Sequence, residues 1–206
     1  MFALIMLPFI AASAVIAVPT ALHTRQTIAP WCEGFGDGVL DTAHNFTLAA
    51  YNTTLPNANS TGAPLVFGQA GAVDGASFKV LSTSASYPFN DFPLLSLTNG
   101  ALLPNGPVQA SDANVTAGQE LLWVLTTVNL PTPAQIYCAV LDTSPYGGGT
   151  GFPRLAVHND IDSFSLCSLD DPNAQNNVVY KASAINDGSY DFSTCYPVQI
   201  QIIGLD

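Results

Sequence analysis

Basic side chains and glutamate are the scarcest features of this chain. Only four Lys and Arg stand among 206 residues against fifteen acidic groups, giving a formal net charge of −11, and the acids are Asp apart from Glu33 and Glu120. Such a surface repels phosphate polymers and anionic headgroups, which excludes nucleic acid and anionic membranes as partners. Charged residues of both signs make up 9% of the chain. Solubility therefore has to rest on Ser, Thr, Asn and Gln, and on attached sugar, which is an extracellular style of surface. No C-x-x-C pair occurs, and the histidines, His23, His44 and His158, are scattered, so a structural zinc site is not expected. No G-x-S-x-G elbow is present, and no Gly-Lys-Ser/Thr follows the glycine run of SPYGGGTGFPR (144–154). Serine-hydrolase and P-loop chemistry are excluded with them.

What is present begins with MFALIMLPFIAASAVIAV, an uncharged apolar run that ends in small residues. It reads as a signal peptide over 1–17, cleaved after Ala17 with Ala14 as the second choice, so that the mature chain starts at Val18. A signal anchor is the competing reading, opposed by the short run, by Pro8 and by the lack of flanking positive charge. No apolar tail follows the closing PVQIQIIGLD, which argues against a lipid anchor. Residues 18–30 lie between Pro19 and Pro30 without periodicity and read as an N-terminal arm, leaving 31–206 as a single β-rich domain. Cys32, Cys138, Cys167 and Cys195 are even in number, and outside the cell that implies two disulfides. Of three possible connectivities, Cys167 with Cys195 and Cys32 with Cys138 is expected. The Asn186-Asp187-Gly188 turn folds the chain back between 167 and 195 and leaves the other two to pair.

From Trp31 onward no window of a dozen residues keeps helical spacing without Gly, Pro or β-branched interruption. Short apolar segments alternate with turn residues instead, and about ten short strands are expected in an all-β fold. The clearest is the last, in which Val198, Ile200 and Ile202 alternate with Gln199 and Gln201. LLSLTNGALL carries the Asn-Gly signal of a type I′ hairpin. ELLWVLTTV (120–128) reads as a strand buried on both faces, with QIYCAVL (135–141) as its partner; FTLAAY, SFKVLS, RLAV, SFSLCSL and NVVYKA complete the set. A β-trefoil, with the final strand closing a barrel against the first, is favoured over a β-sandwich.

Four sequons, at Asn45, Asn52, Asn59 and Asn114, lack proline at the middle position and are expected glycan acceptors in a secreted chain. Asn45 and Asn52 are seven apart and would face opposite sides of one continuous strand, which places Asn52 past the strand end. Tyr87, Phe89 and Phe92 in SYPFNDFP, with Tyr146 before the glycine run, are candidates for stacking on sugar rings; the competing reading has the three loop aromatics cover the edge of the core. A glycosidase needs two carboxyl groups flanking the scissile bond, and the nearest pairs are Asp37 with Asp41 and Asp160 with Asp162. Both patterns also suit turn-capping aspartates, so no catalytic residue is assigned. Copper chemistry would need His23 as the mature N-terminus, after an unsuitable cleavage at Leu22. Asp170, Asp171, Asn173 and Asn176 supply oxygen ligands without the spacing of a calcium loop. No metal or cofactor is expected.

FSLCSLDDPNAQNNVVYKASAINDGSYDFSTCYPVQIQIIG, together with WCEGFGDGVLDTAHNFTLAAYN, resembles small secreted proteins of basidiomycete fungi over most of the mature chain. The Phe164-Ser165-Leu166-Cys167 segment with a later Cys before the final strand is also similar to phialide-type fungal cell-wall proteins. The resemblance implies a secreted, cell-wall setting and brings no catalytic residues. The expectation is a non-catalytic extracellular or cell-wall glycoprotein whose partner is a polysaccharide; the alternative is a secreted hydrolase using Asp carboxylates.

Overall fold

A computed structural model describes residues 28–36, 38–141 and 150–205. The leader over 1–17, most of the arm with His23, and Asp37 and Tyr146 lie outside them. Among the described residues fourteen strands join into one all-antiparallel network. Its centre is a ring of six: β2 (Ala43–Asn52), β3 (Ala63–Val73), β4 (Ala76–Thr83), β13 (Asn177–Tyr180), β12 (Phe164–Cys167) and β14 (Tyr196–Ile203). The ring closes where β14 runs against β2 from Val198↔Asn52 to Ile203↔Thr47. Three of its strands come from residues 43–83 and three from 164–203.

The remaining strands hang on this ring. β5 (Leu94–Thr98) and β6 (Ala101–Asn105) form a hairpin on the first half of β2. β7 (Ala110–Asp112) pairs with β9 (Leu122–Thr126), which adds to β4. β8 (Gln119–Glu120) lies on β13. β1 (Val39–Leu40), β10 (Tyr137–Val140) and β11 (Arg154–Val157) extend from β14.

Alternation explains the core. Val198, Ile200 and Ile202 point inward with Phe46, Leu48, Phe67, Leu81, Phe164 and Leu166, as period-two strands require. Trp123 is fully buried, stands edge-on to Phe67 at 4.9 Å and donates its indole N–H to the Leu102 carbonyl at 2.6 Å, which ties β9 to the β5–β6 hairpin. At that hairpin Asn99 and Gly100 have φ of 48° and 78°, the left-handed pair of a type I′ turn. Gly100 also lies under the Trp31 indole, where a Cβ has no space.

The segment 120–128 departs from the sequence-based reading. Leu122 and Val124 are half exposed while Trp123 and Leu125 are buried, so β9 is covered on one face. Nor does β10 pair with it. The chain between them passes Pro131 and Pro133, and the buried Asp112 carboxylate holds its far end by accepting the Ala134 N–H at 3.0 Å. This delivers β10 to β1 and β11 instead.

Two disulfides fasten the ends. Cys32, in a 3-10 turn over Pro30–Cys32, is bonded to Cys138 of β10, and Cys167 at the end of β12 is bonded to Cys195 beside β14. Among the described residues no helix is long and apolar enough to cross a membrane.

Candidate functional site

A polar surface is built where β8 meets β13. A turn ending at Gly118, whose φ is 84°, is fixed when Gly118 donates its N–H to the Tyr180 carbonyl at 2.8 Å. The buried Tyr190 hydroxyl donates toward the Gly118 carbonyl at 3.1 Å and accepts the Ser183 N–H at 3.0 Å, so the 183–190 loop is anchored to the same turn. Glu120 and Asp187, distant in sequence, thereby share one hollow of about 360 Å³.

Behind Glu120 runs a relay of buried polar groups. The Ser82 hydroxyl donates to Asn177 Oδ1 at 2.5 Å, and Asn177 Nδ2 donates to Glu120 Oε1 at 2.7 Å. Beside it the Gln175 amide accepts the Gln69 N–H at 2.8 Å and donates to the Gln69 carbonyl at 2.7 Å, imitating one rung of a sheet. Gly68 is the residue that lets Ser82 and Gln175 come this close, since a Cβ there would strike both. Burial pushes the Glu120 carboxyl above its ordinary range, and the charge of Asp187 adds to that, against the opposing hydrogen bond from Asn177. Asp187 moves the other way, held low chiefly by the Ser189 hydroxyl and N–H.

The hollow does not stand alone. A second, of about 350 Å³, shares Glu120 and Ser189 with the first. A third, of about 490 Å³, shares Asn173 and Ala174 with the second and continues to Ser86 and Asn176. Together they make a groove walled mainly by amides and hydroxyls. Tyr87 follows directly on Ser86, and its ring lies 5.2 Å from that of Phe89, which is 62% exposed.

The aromatics named from sequence thus separate. Tyr87, next in sequence to Ser86 of the third hollow, is half buried and Phe89 is exposed, whereas Phe92 is 5% exposed and packs edge-on to Phe67 at 5.7 Å beneath Gly106. Phe92 is a core residue and presents no face to a ligand. Among the aspartates, Asp160 accepts the Asp162 and Ser163 N–H groups and faces Lys181 at 3.4 Å. Burial works against its charge, but the bonds from Ser163, Asp162 and Lys181 prevail and hold it below the usual range. Asp162 accepts from Gln199 at 2.9 Å, Asp41 accepts from the Thr42 hydroxyl, and Asp171 caps Asn173. These are turn and strand-end roles. Among the described residues no three His, Cys, Asp or Glu side chains come together as a metal site.

The sequons lie on three different supports. Asn45 sits in the left-handed region, φ 57°, at a bulge in β2. That bulge resets the alternation, and Asn52 is the last residue of the strand rather than a loop residue beyond it. The Asn52 and Asn59 side chains each accept the hydroxyl of the Thr two residues on, at 3.1 and 2.9 Å. Asn114 is exposed on the wall of the Glu120 hollow. Glu120 itself carried one signal in sequence, a rare glutamate directly before an apolar run. Scans of this chain against protein-family models, curated proteins and solved structures each return no match.

Proposed function

We propose that this chain is a secreted glycoprotein of the cell exterior or cell wall that binds a neutral polysaccharide without cleaving it. The observation that carries the reading is the groove. Its amides and hydroxyls offer paired donors and acceptors to sugar hydroxyls, and the exposed Phe89, which follows Ser86 of the groove closely in sequence, has a ring face free for the C–H side of a pyranose. The polymer is neutral because a chain of net charge −11 repels an anionic one. Two disulfides suit an oxidising exterior, and the resemblance to small secreted fungal proteins points to a wall setting.

Retention on insoluble neutral polysaccharides tests this. The wild-type protein is expected to be retained, and Phe89→Ala and Asn173→Ala each to weaken retention by roughly tenfold, or ~1.4 kcal/mol, with unchanged urea midpoints. Passage of the wild type through every neutral matrix, or full retention of both variants, contradicts it.

A second reading, hydrolysis of the polysaccharide, is favoured by one observation: Glu120 and Asp187 line one hollow and are shifted in opposite directions, the division of labour of an acid and a base. Release of sugar that vanishes in Glu120→Gln would select it. For the fold, a β-trefoil takes two barrel strands from each of three units, while this ring takes three from 43–83 and three from 164–203. That order supports a two-part antiparallel barrel with outer strands over the trefoil and over an open sandwich.

A further inference from the structure

Asn114 differs from the other sequon asparagines in what surrounds it. Asn45, Asn52 and Asn59 line none of the groove's hollows, whereas Asn114 forms the wall of the one that contains Gln119, Glu120, Asp187 and Ser189. Its backbone is pinned on both sides. Ala113 donates its N–H to the Leu122 carbonyl at 2.9 Å, and the buried Val115 bonds through its carbonyl to His158 Nε2 at 2.9 Å. Thr116 is held as well, donating its N–H to Gln119 Oε1 at 3.0 Å. A sugar linked here starts from a point fixed by the fold, and it starts at the cavity wall.

The lining suits such a sugar. The first unit of an N-linked glycan is an N-acetylhexosamine, with an acetamide and hydroxyls on its edge and C–H groups on its faces. The hollow sets Gln119, Asp187 and Ser189 beside the apolar Leu122 and Ala70, and about 360 Å³ lies in the range of small-ligand sites. We propose that this hollow holds the proximal sugars of the protein's own Asn114 glycan, which close the Glu120 end of the groove and leave the 83–87 and 173–177 end for an outside ligand. The proposal rests on the reading of the chain as a secreted glycoprotein.

The test is site-resolved endoglycosidase release from the full protein made in a glycosylating host, followed by mass spectrometry of each sequon peptide. On the folded protein the Asn114 glycan is expected to be released roughly tenfold or more slowly than those on Asn52 and Asn59, and all three at equal rates after denaturation. Ala70→Trp, which fills the hollow from the exposed end of β3, is expected to displace the sugar and speed its release. Equal rates on the folded wild-type protein overturn the proposal, and so do glycans on Asn52 or Asn59 with none on Asn114, leaving the glycoprotein reading intact. A protein without glycan at any sequon removes both.

Discussion

Replacing Cys32 and Cys138 together by alanine is expected to lower the unfolding free energy by ~4.8 kcal/mol on the chain-entropy relation for a closed loop. The size follows from the separation of 106 residues. For Cys167 and Cys195, separated by 28, the same relation gives ~3.6 kcal/mol. Either value is a large share of the roughly 5–15 kcal/mol that keeps an ordinary domain folded. The first bond also holds a small cluster of its own, in which Cys32, Cys138, Val140 and Ala156 pack under Trp31 and Phe35. Without it the 28–36 segment loses its covalent anchor to β10, and the Trp31 cover over Gly100 goes with it. Urea unfolding of the two double variants, compared with wild type without reductant, checks the order and the size. A loss below about 1 kcal/mol for the Cys32/Cys138 variant is inconsistent with a bond that closes so long a loop.

Stability should also fall as pH rises from 4 to 7, because of one interior carboxyl. Asp112 is 2% exposed and accepts the Leu102 and Ala134 N–H groups, each at 3.0 Å. Burial outweighs these bonds and raises its pKa from 3.8 to about 7. Close by, burial pushes the Tyr137 phenol well above its ordinary value and the charge of Asp112 adds to it, while its buried hydroxyl has no hydrogen-bond partner among the described residues. A folded-state pKa above the unfolded one means that the native protein keeps a proton the unfolded chain has released. The contribution of Asp112 is therefore fully present below pH 3.8 and is lost as pH rises through about 7, by on the order of 4 kcal/mol in total. Glu120, also raised by burial, acts in the same direction. Unfolding free energies of wild type and Asp112→Asn across pH 4 to 8 measure the effect. The wild-type curve should fall by several kcal/mol more than that of the variant, which lacks the titrating proton; parallel curves contradict the assignment.

Legibility in the sequence followed how local each determinant is. The final strand shows its inward face through Val198, Ile200 and Ile202, and Asn99-Gly100 announces its turn, because both signals lie within a few residues. β3 was hidden because Pro64, Gly68 and Gly71 read as turn chemistry, yet Gly68 serves a close approach to Ser82 and Gln175 from other strands. The bulge at Asn45 was hidden because a left-handed asparagine looks like any other in sequence. Phe92 shares a loop with Phe89, and only Phe67, brought across from β3, decides that one is core and the other exposed. The groove was out of reach for the same reason. Glu120 meets Asp187 through the Tyr190 anchor, and Asn177 meets Ser82 through a pairing between β13 and β4 that spans half the chain.

Backbone amide shifts of the isotope-labelled protein during titration with short neutral oligosaccharides test the binding groove most directly. Shifts are expected to gather at Thr83–Tyr87 and Asn173–Asn177, the residues in and beside the end of the groove left to an outside ligand, with little change around the separate cavity beside His44 and Pro104. A spectrum unmoved by every neutral oligosaccharide, or shifts gathered at His44 and Pro104 instead, would contradict it.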